Sequence, residues 1–285
     1  MLGVIGSGNV GTALIKGAVE SNSEIIASDV DEDRLKNLRK EFGVETTTDN
    51  VKVARKADIV LLAVTPQMIG HVLNEIKNEL KGKLLISIVA GVDTSFIESI
   101  IPKGTPVIRA MPNIAAMVGE AAIALSRGQN GNKEHYDVAK EIFEKVGRVV
   151  EVEEDLMDAV TGLSGTGPLY IFMMVEALSD AGVKAGLPRK VSDALAIQTL
   201  YGSSKMVRDL GRHPAVLRDL VTSPGGTAIS ALHSLEKEGF KASLMEAVEV
   251  ATKRAGELGK KFERRQSLQV EDKPLTPQVR RKIKE

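Results

Sequence analysis

The chain has 285 residues, 43% apolar and 27% charged, and its 38 basic and 38 acidic side chains give a formal net charge of zero. This composition is near the average for globular proteins and excludes collagen-like and disordered classes, while the zero net charge favours a small-molecule partner over nucleic acid or an anionic membrane. The sequence contains no cysteine, which excludes disulfides, thiolate catalysis and cysteine metal ligands.

The length predicts two domains, because single hydrophobic cores tend to divide beyond about 250 residues. Short apolar runs predict strands at 2–5, 25–28, 58–64, 83–89, 106–110 and 121–125. Segments with apolar residues at helical spacing lie between them, at 10–20, 31–42 and 66–80. Because the strand runs are apolar at consecutive positions, they indicate a parallel sheet covered on both faces. We therefore expect a doubly wound α/β domain of the Rossmann type over residues 1–154.

The second domain is expected to be all-helical and to span residues 155–259. Helices are predicted at 168–185, 188–207, 214–221, 226–238 and 241–259. Pro188 and Pro214 lie at first-turn positions, and Gly186 and Gly239 act as stops. Met173 and Met174 lie at apolar positions of the first of these helices and are interpreted as core residues.

Residues 260–285 contain nine Lys or Arg against four Asp or Glu. We interpret this segment as a solvated charged tail, with a basic binding arm as the alternative. Apolar runs elsewhere are far shorter than the ~20 residues of a membrane-spanning helix. The first predicted strand begins at Leu2 and leaves no room for a leader peptide, so we expect a cytoplasmic protein.

A glycine motif follows the first predicted strand in the sequence GVIGSGNVGTALIKG, with Gly6, Gly8 and Gly11 in the pattern G-x-G-x-x-G. Gly6 would permit a tight turn, Gly8 would leave the path of a pyrophosphate open, and Gly11 would let helix and strand approach. The N-terminus of the helix that follows offers unpaired N–H groups to phosphates. This context predicts a dinucleotide-binding site.

Asp29 lies eighteen residues beyond Gly11, at the end of the second predicted strand. Its carboxylate is placed to bind the adenosine ribose hydroxyls, which favours NADH. Arg34, one helical turn later, would soften the repulsion of a 2′-phosphate, so NADPH stays open. The alternative role for Asp29 is N-cap of the helix at 31–42.

Few residues are available for catalysis. The four histidines are scattered without a second ligand at metal spacing, so no metal is expected. The stretch TSPGGTAISAL at 222–232 opens a predicted helix with a proline and two glycines. Exposed N–H groups there would hold a carboxylate; the alternative is an ordinary helix entry capped by Ser223 or Thr227.

Several motifs together resemble pyrroline-5-carboxylate reductases. Besides the glycine loop they are AVTPQ (63–67), SIVAGV (87–92), RAMPNIAAMVGE (109–120), SGTGPLYIF (164–172), DAGVKAGLPR (180–189), LRDLVTSPGGTAI (217–229) and HSLEKEGF (233–240). They occur in the family's order from Leu2 to about Leu258, and the last two are more specific than the glycine loop.

The resemblance implies NADPH- or NADH-dependent reduction of the cyclic imine 1-pyrroline-5-carboxylate to L-proline, the last step of proline biosynthesis. It also implies a helical dimerisation domain whose helices interlock in a homodimer, and in some members a ring of dimers. The cofactor contacts it implies are Ile5, Gly6, Ser7, Gly8, Asn9, Val10, Asp29, Asn50, Ala63, Val64, Thr65, Pro66, Val89, Ala90 and Gly91. The substrate contacts it implies are Ser223, Gly225, Gly226, Thr227 and Ala228.

Three motifs depart from the family's common pattern. Thr65 replaces a lysine, and Ile114 and Ala115 replace a Thr-Pro pair. Ala228 replaces a threonine that is a proposed proton donor to the imine nitrogen. A hydroxyl role would then fall to Thr227, the candidate catalytic residue, to Ser223 or to water, unless the substrate arrives protonated.

Two other functions are considered. A β-hydroxyacid dehydrogenase or a related imine reductase would share the Rossmann domain and a helical second domain. Hydroxyacid enzymes use a lysine on the first long helix, whereas SGTGPLYIFMMVEAL is followed by its first lysine only at Lys184. A non-catalytic dinucleotide sensor would use the second glycine turn only as a helix cap.

Overall fold

The computed structural model describes residues 1–21 and 23–269, with side chains described up to Gly259. The chain forms two compact units. One contains Met1–Gly165 and residues 251–269, and the other contains Thr166–Val250. The sequence pattern predicted that the first domain ends at residue 154 and the second at residue 259. The two compact units instead divide the chain after residues 165 and 250.

The first unit is built on an eight-stranded sheet. Its strands are β1 (Leu2–Ile5), β2 (Ile25–Ser28), β3 (Glu45–Thr47), β4 (Ile59–Leu62), β5 (Leu84–Ser87), β6 (Val107–Met111), β7 (Ala121–Arg127) and β8 (Gly147–Glu151). Their order is β3-β2-β1-β4-β5-β6-β7-β8. Since β1 lies between β2 and β4, the winding reverses at the carboxyl end of β1, where open α/β sheets bind ligands.

Helices cover both faces of this sheet. They are α1 (Asn9–Val19), α2 (Glu32–Phe42), α3 (Asn50–Lys56), α4 (Pro66–Ile76), α5 (Thr94–Ile100), α6 (Lys133–Phe143) and α7 (Met157–Val160). Residues of α1 and α6 pack in one buried core cluster, and residues of α3, α4 and α5 pack in another. Burial on both faces explains the consecutive apolar residues in the strands, as predicted.

The sheet departs from the predicted all-parallel arrangement at β7, which pairs with β6 in antiparallel orientation. The connection between these strands, residues 112–120, is too short for the dozen or more residues of a parallel crossover. The six predicted strands are all present; β8 is an addition, and so is β3. Its sequence, Glu-Thr-Thr, carries no apolar signal.

The second unit is helical, as predicted. It contains α8 (Gly167–Lys184), α9 (Arg189–Leu210), α10 (Pro214–Asp219), α11 (Thr227–Lys237) and the start of α12 (Phe240–Gln269). The prediction that the last helix ends at 259 is wrong, because α12 continues for ten residues through a segment without proline or glycine. The remainder of the predicted tail, 270–285, lies outside the described residues. Among those described, no helix has the length and hydropathy to cross a bilayer.

A polar contact joins α8 to α9. The Ser192 hydroxyl donates to the Ser179 carbonyl at 2.6 Å, and Arg189 Nη1 donates to Ser179 Oγ at 2.8 Å and to Asp180 Oδ1 at 2.7 Å. A β-carbon at Gly182 would lie 2.0 Å from Ser192 Oγ. The glycine therefore allows the two helices to approach closely at this level.

Candidate active site

The three glycines of the loop between β1 and α1 have different surroundings. Gly6 has φ +99°, and a β-carbon there would lie 2.5 Å from the Ala63 carbonyl oxygen. A β-carbon at Gly11 would lie 2.5 Å from the Gly6 carbonyl oxygen. At Gly8 a β-carbon would meet no atom within 4 Å. Gly6 and Gly11 thus permit close backbone packing, whereas Gly8 borders open space.

The N-terminus of α1 is available to an anion. Its N-cap is Gly8, which offers no side-chain cap, and its first turn contains no acidic residue. By contrast, α2 and α3 are capped by the carboxylates of Asp31 and Asp49. The first N–H groups of α1 and its positive dipole end are therefore free of a competing carboxylate cap.

An open cleft of about 400 Å³ lies beside this helix end. It is lined by Ser7, Gly8, Asn9, Thr12, Ala13, Lys16, Arg34, Asn37, Leu38, Glu41, Phe42 and Met117. Lys16 and Asn37 are lining residues that were not predicted, since each reads in sequence as an ordinary helical surface residue. Two cations, Lys16 and Arg34, make the cleft suitable for phosphate groups.

Asp29 supports the glycine loop. Its Oδ2 accepts hydrogen bonds from the Ser7 backbone N–H at 2.7 Å and from the Ser7 hydroxyl at 2.8 Å. Oδ1 accepts from the Asp31 N–H at 2.9 Å, and Arg34 Nη1 lies 3.9 Å from Oδ2. The alternative of Asp29 as N-cap of α2 is wrong, because Asp31 caps that helix. Contact of Asp29 with the ribose stays a prediction.

Asn50, at the first position of α3, ties the end of β2 to α4. Its Oδ1 accepts from the buried Ser28 hydroxyl at 2.8 Å, and its Nδ2 donates to Glu75 Oε2 at 3.0 Å. Both ends of this amide are therefore engaged by protein groups. Its predicted contact with the cofactor would have to use the remaining donor or acceptor capacity.

The other predicted cofactor segments follow β4 and β5. Ala63 N–H donates to the Ile5 carbonyl at 2.8 Å, Thr65 is the N-cap of α4, and Pro66 begins that helix. Residues 89–91 follow β5, and Gly91 has φ +70°. Because β2, β1, β4 and β5 are parallel neighbours, their carboxyl ends lie at one edge of the sheet. The fold thus brings the predicted cofactor residues together at the switch point.

The pairing of a buried arginine with a partly exposed carboxylate was not predicted from the sequence. Arg109 on β6 has a side chain only 4% exposed, and its Nη1 lies 2.7 Å from Glu154 Oε1. The available signal was a single arginine within the apolar run of a predicted buried strand, which requires a carboxylate partner.

The predicted substrate residues lie in the second unit, where the chain turns into α11. Gly225 has φ +69°, and Gly226 is the N-cap. The Gly226 N–H donates to the Ser223 carbonyl at 3.0 Å, so this N–H serves the turn. A β-carbon at Gly226 would lie 2.3 Å from Ser223 Oγ.

The first turn of α11 carries neither a side-chain cap nor an acidic residue. The alternative of a helix entry capped by Ser223 or Thr227 is therefore wrong. Thr227 is exposed at the first helical position, and Ala228 follows it, partly buried. This helix end resembles that of α1: a glycine N-cap leaves backbone N–H groups for an anion.

Comparison with known proteins extends over both units. The family model described as pyrroline-5-carboxylate reductase dimerisation matches residues 154–258, and the model described as NADP oxidoreductase coenzyme F420-dependent matches residues 1–91. A pyrroline-5-carboxylate reductase of Methanosarcina acetivorans is 48% identical over 265 residues, which cover 91% of this chain and 98% of that protein.

Solved structures agree with this likeness. A pyrroline-5-carboxylate reductase from Coxiella burnetii has a TM-score of 0.86 at 34% identity, covering 90% of this chain and 97% of that one. The pyrroline carboxylate reductase of Plasmodium falciparum, solved with NADP bound, has a TM-score of 0.81 at 35% identity over 90% of this chain and 97% of that one. This chain therefore belongs to the pyrroline-5-carboxylate reductase family.

Proposed function

We propose that this chain reduces 1-pyrroline-5-carboxylate to L-proline with NADPH or NADH. The observation that carries the proposal is the uncapped glycine turn at Ser223–Thr227 in a chain that is 48% identical to a reductase of this name across 91% of its length. Bound NAD(P)H supplies the hydride that adds to the imine carbon, and the nitrogen, which keeps the C=N electron pair, takes up one proton. The β-hydroxyacid dehydrogenase alternative has no comparable support.

The residues of the first unit fit a dinucleotide. Open space beside Gly8 and an uncapped α1 would accept the pyrophosphate, and Asp29 fixes the loop through Ser7. We propose that Ile5–Val10, Asn50, Ala63–Pro66 and Val89–Gly91 complete the site. Lys16 and Arg34 line the cleft and would bind the 2′-phosphate of NADPH. NADPH is therefore proposed as a cofactor alongside NADH.

The substrate carboxylate is proposed to bind the first N–H groups of α11. Ser223, Gly225 and Gly226 shape this turn, and Thr227 and Ala228 supply the leading N–H groups of the helix. The positive dipole end adds to the attraction without an arginine. Fixing the anion in this way orients the imine carbon, and orientation supplies much of the acceleration in a reaction without a covalent intermediate.

Thr227 is proposed to provide the hydroxyl nearest the imine nitrogen, because Ala228 has none. We expect Thr227→Val to lower kcat by about a hundredfold, within the usual range for general acid catalysis, with little change in KM. Adding Ala228→Thr to that variant should restore part of kcat. An unchanged kcat in Thr227→Val would assign the proton to water or to a substrate that binds already protonated.

The assembly is proposed to be a homodimer formed through the helical unit, with a ring of dimers as the larger form. Large apolar side chains of this unit are exposed in the single chain, among them Phe172, Met173, Leu195, Leu220 and Met245. The interpretation of Met173 as a core residue is wrong for the single chain, where it is 60% exposed. A partner chain would bury such side chains.

Molar mass in solution tests this assembly. Wild type should have twice the chain mass, or a multiple of it for a ring of dimers, and Met173→Lys should shift the mass toward the monomer. The control is Val138→Lys on α6, an exposed apolar residue of the first unit, which should keep the wild-type mass. A monomeric wild type would refute the homodimer.

The cytoplasm is the proposed location, supported by the biosynthetic reaction of the relatives.

Cofactor oxidation tests the proposed reaction. Purified protein should oxidise NADH or NADPH when given 1-pyrroline-5-carboxylate, and parallel rates with the two cofactors give its preference. Absence of turnover with both cofactors, alongside normal cofactor binding, would refute the reductase assignment.

A further inference from the structure

The loop between β5 and α5 contains residues 89–91, which are proposed above to contact the cofactor. Its beginning is fixed where the strand ends. The Ile88 N–H donates to the Leu62 carbonyl at 3.0 Å, and the Val89 N–H donates to the Ser87 hydroxyl at 3.3 Å. The path of the loop beyond this point depends on how its far end is held.

The far end is held by Glu154. Its Oε1 accepts from the Thr94 backbone N–H at 3.1 Å and from Arg109 Nη1 at 2.7 Å, and its Oε2 accepts from the Ser126 hydroxyl at 2.7 Å. Thr94 is the first residue of α5, so this one carboxylate ties the end of the loop to β6 and β7. The loop is thereby fixed at both ends.

The carboxylate itself is held by a buried charge. Nε and Nη2 of Arg109 are buried without a hydrogen-bond partner among the described residues, so compensation of its charge depends on Glu154. A buried arginine without its carboxylate is strongly unfavourable, which keeps Glu154 in place. The loop also packs closely against α12, which limits its movement. The backbones of Gly91 and Gly259 approach so closely that a β-carbon added at Gly259 would lie 3.0 Å from the Gly91 carbonyl oxygen.

We propose that Glu154, held by Arg109, is a positioning residue that sets the loop at 89–91 for the nicotinamide end of the cofactor. This inference rests on the proposed function. Glu154 acts through the Thr94 N–H and does not touch the reacting atoms. Because a displacement of about 1 Å can cost as much as a hundredfold in rate, loss of this single hydrogen bond should be visible in hydride transfer.

The test removes the hydrogen bond and leaves the ion pair intact. Thr94→Pro deletes the N–H at the first residue of a helix, where proline is well tolerated, and also replaces the threonine side chain. Asp93 before it has φ −80° and ψ 167°, an extended conformation that a following proline permits. The matched reference is Thr94→Val, which makes a similar change of side chain and keeps the N–H. Glu151→Gln, which weakens the Arg127–Glu151 pair on β7 and β8, controls for a general disturbance of these neighbouring strands and should keep wild-type rates.

Two readouts separate positioning from general damage. The first is kcat for imine reduction, and the second is affinity for the intact cofactor compared with its ADP-ribose fragment, which lacks the nicotinamide. Binding of the reduced cofactor can be followed by nicotinamide fluorescence, and the chain contains no tryptophan to interfere.

We expect Thr94→Pro to lower kcat about tenfold relative to Thr94→Val and to weaken binding of the intact cofactor, with the fragment bound equally by both variants. Ser126→Ala removes the hydrogen bond to Oε2 of Glu154 and should give a smaller loss of kcat and of cofactor affinity. This variant replaces Thr94→Pro in the test if the proline variant fails to fold. Equal kcat and affinities in the proline and valine variants would overturn the inference, as would equal weakening of cofactor and fragment. If wild type binds cofactor without reducing the imine, the proposed function fails, and the binding comparison still decides whether Glu154 positions the loop.

Discussion

Gly8 and Gly11 provide two substitutions in one loop with opposite expected effects. A side chain at Gly8 would enter open space beside the end of α1, whereas one at Gly11 would meet the Gly6 carbonyl at 2.5 Å. We expect Gly8→Val to keep the wild-type melting temperature and to lose cofactor affinity at least about tenfold, because its branches block the pyrophosphate. Gly11→Val should lower the melting temperature, because the helix must move away from the loop. Thermal melts and cofactor titrations of both variants distinguish these effects; a destabilised Gly8→Val variant would contradict them.

Gly226 offers a matching test at the proposed carboxylate site. Gly226→Val is expected to raise KM for 1-pyrroline-5-carboxylate, or to abolish activity, with unchanged cofactor affinity. A β-carbon there also meets Ser223 Oγ at 2.3 Å, so part of the effect could come from distortion of the turn. Gly226→Ala in a Ser223→Ala background removes that contact and isolates occlusion of the N–H groups. Equal loss of cofactor and substrate affinity in Gly226→Val would place the turn's role elsewhere.

The packing roles of Gly6 and Gly11 in the glycine loop were predictable because they follow from local backbone geometry in a short motif. The N-cap of α2 was not predicted correctly. Asp29 and Asp31 lie two residues apart in the same acidic segment, and which of them caps the helix depends on where the helix begins. Arg109 and Glu154 lie 45 residues apart in the chain. The sequence therefore shows that the buried arginine needs a carboxylate partner, but it does not show which carboxylate that is.

Among the elements, the buried strands were predicted best, since burial on both faces of the sheet leaves apolar residues at consecutive positions. The three-residue β3 was not predicted, because its pairing with β2 comes from backbone hydrogen bonds rather than from apolar side chains. The end of α12 was misplaced at Gly259 because glycine often ends a helix. Here Gly259 lies inside the helix, at the contact with Gly91.

A substitution at Gly182 tests the contact between α8 and α9. Gly182→Ala should destabilise the protein by about 1–3 kcal/mol, because its β-carbon would lie 2.0 Å from Ser192 Oγ in a closely packed pair of helices. Denaturant unfolding measures the change. In a Ser192→Ala background the added cost of Gly182→Ala should shrink, since the colliding hydroxyl is absent. Purely additive effects of the two substitutions would contradict this account of the contact.

For the whole molecule, the order of predicted strands and helices indicated a Rossmann-type unit followed by a helical one, and the structure and the family comparisons confirm that architecture. The apolar residues of α8 were recognised as residues to be buried, but Met173 was assigned to the core of its own chain. A single sequence cannot separate burial by the same chain from burial by a second copy, because both require the same apolar side chains.

Transfer of deuterium from the cofactor to the product tests whether this chain reduces the imine. The protein is incubated with 1-pyrroline-5-carboxylate and reduced cofactor labelled with deuterium at the transferable position of its nicotinamide ring, and the product is analysed by mass spectrometry. Reduction by this chain predicts L-proline with one deuterium at the former imine carbon, formed in proportion to the cofactor oxidised. Cofactor binding without labelled proline, or oxidation of the cofactor without deuterium in proline, would contradict the assignment.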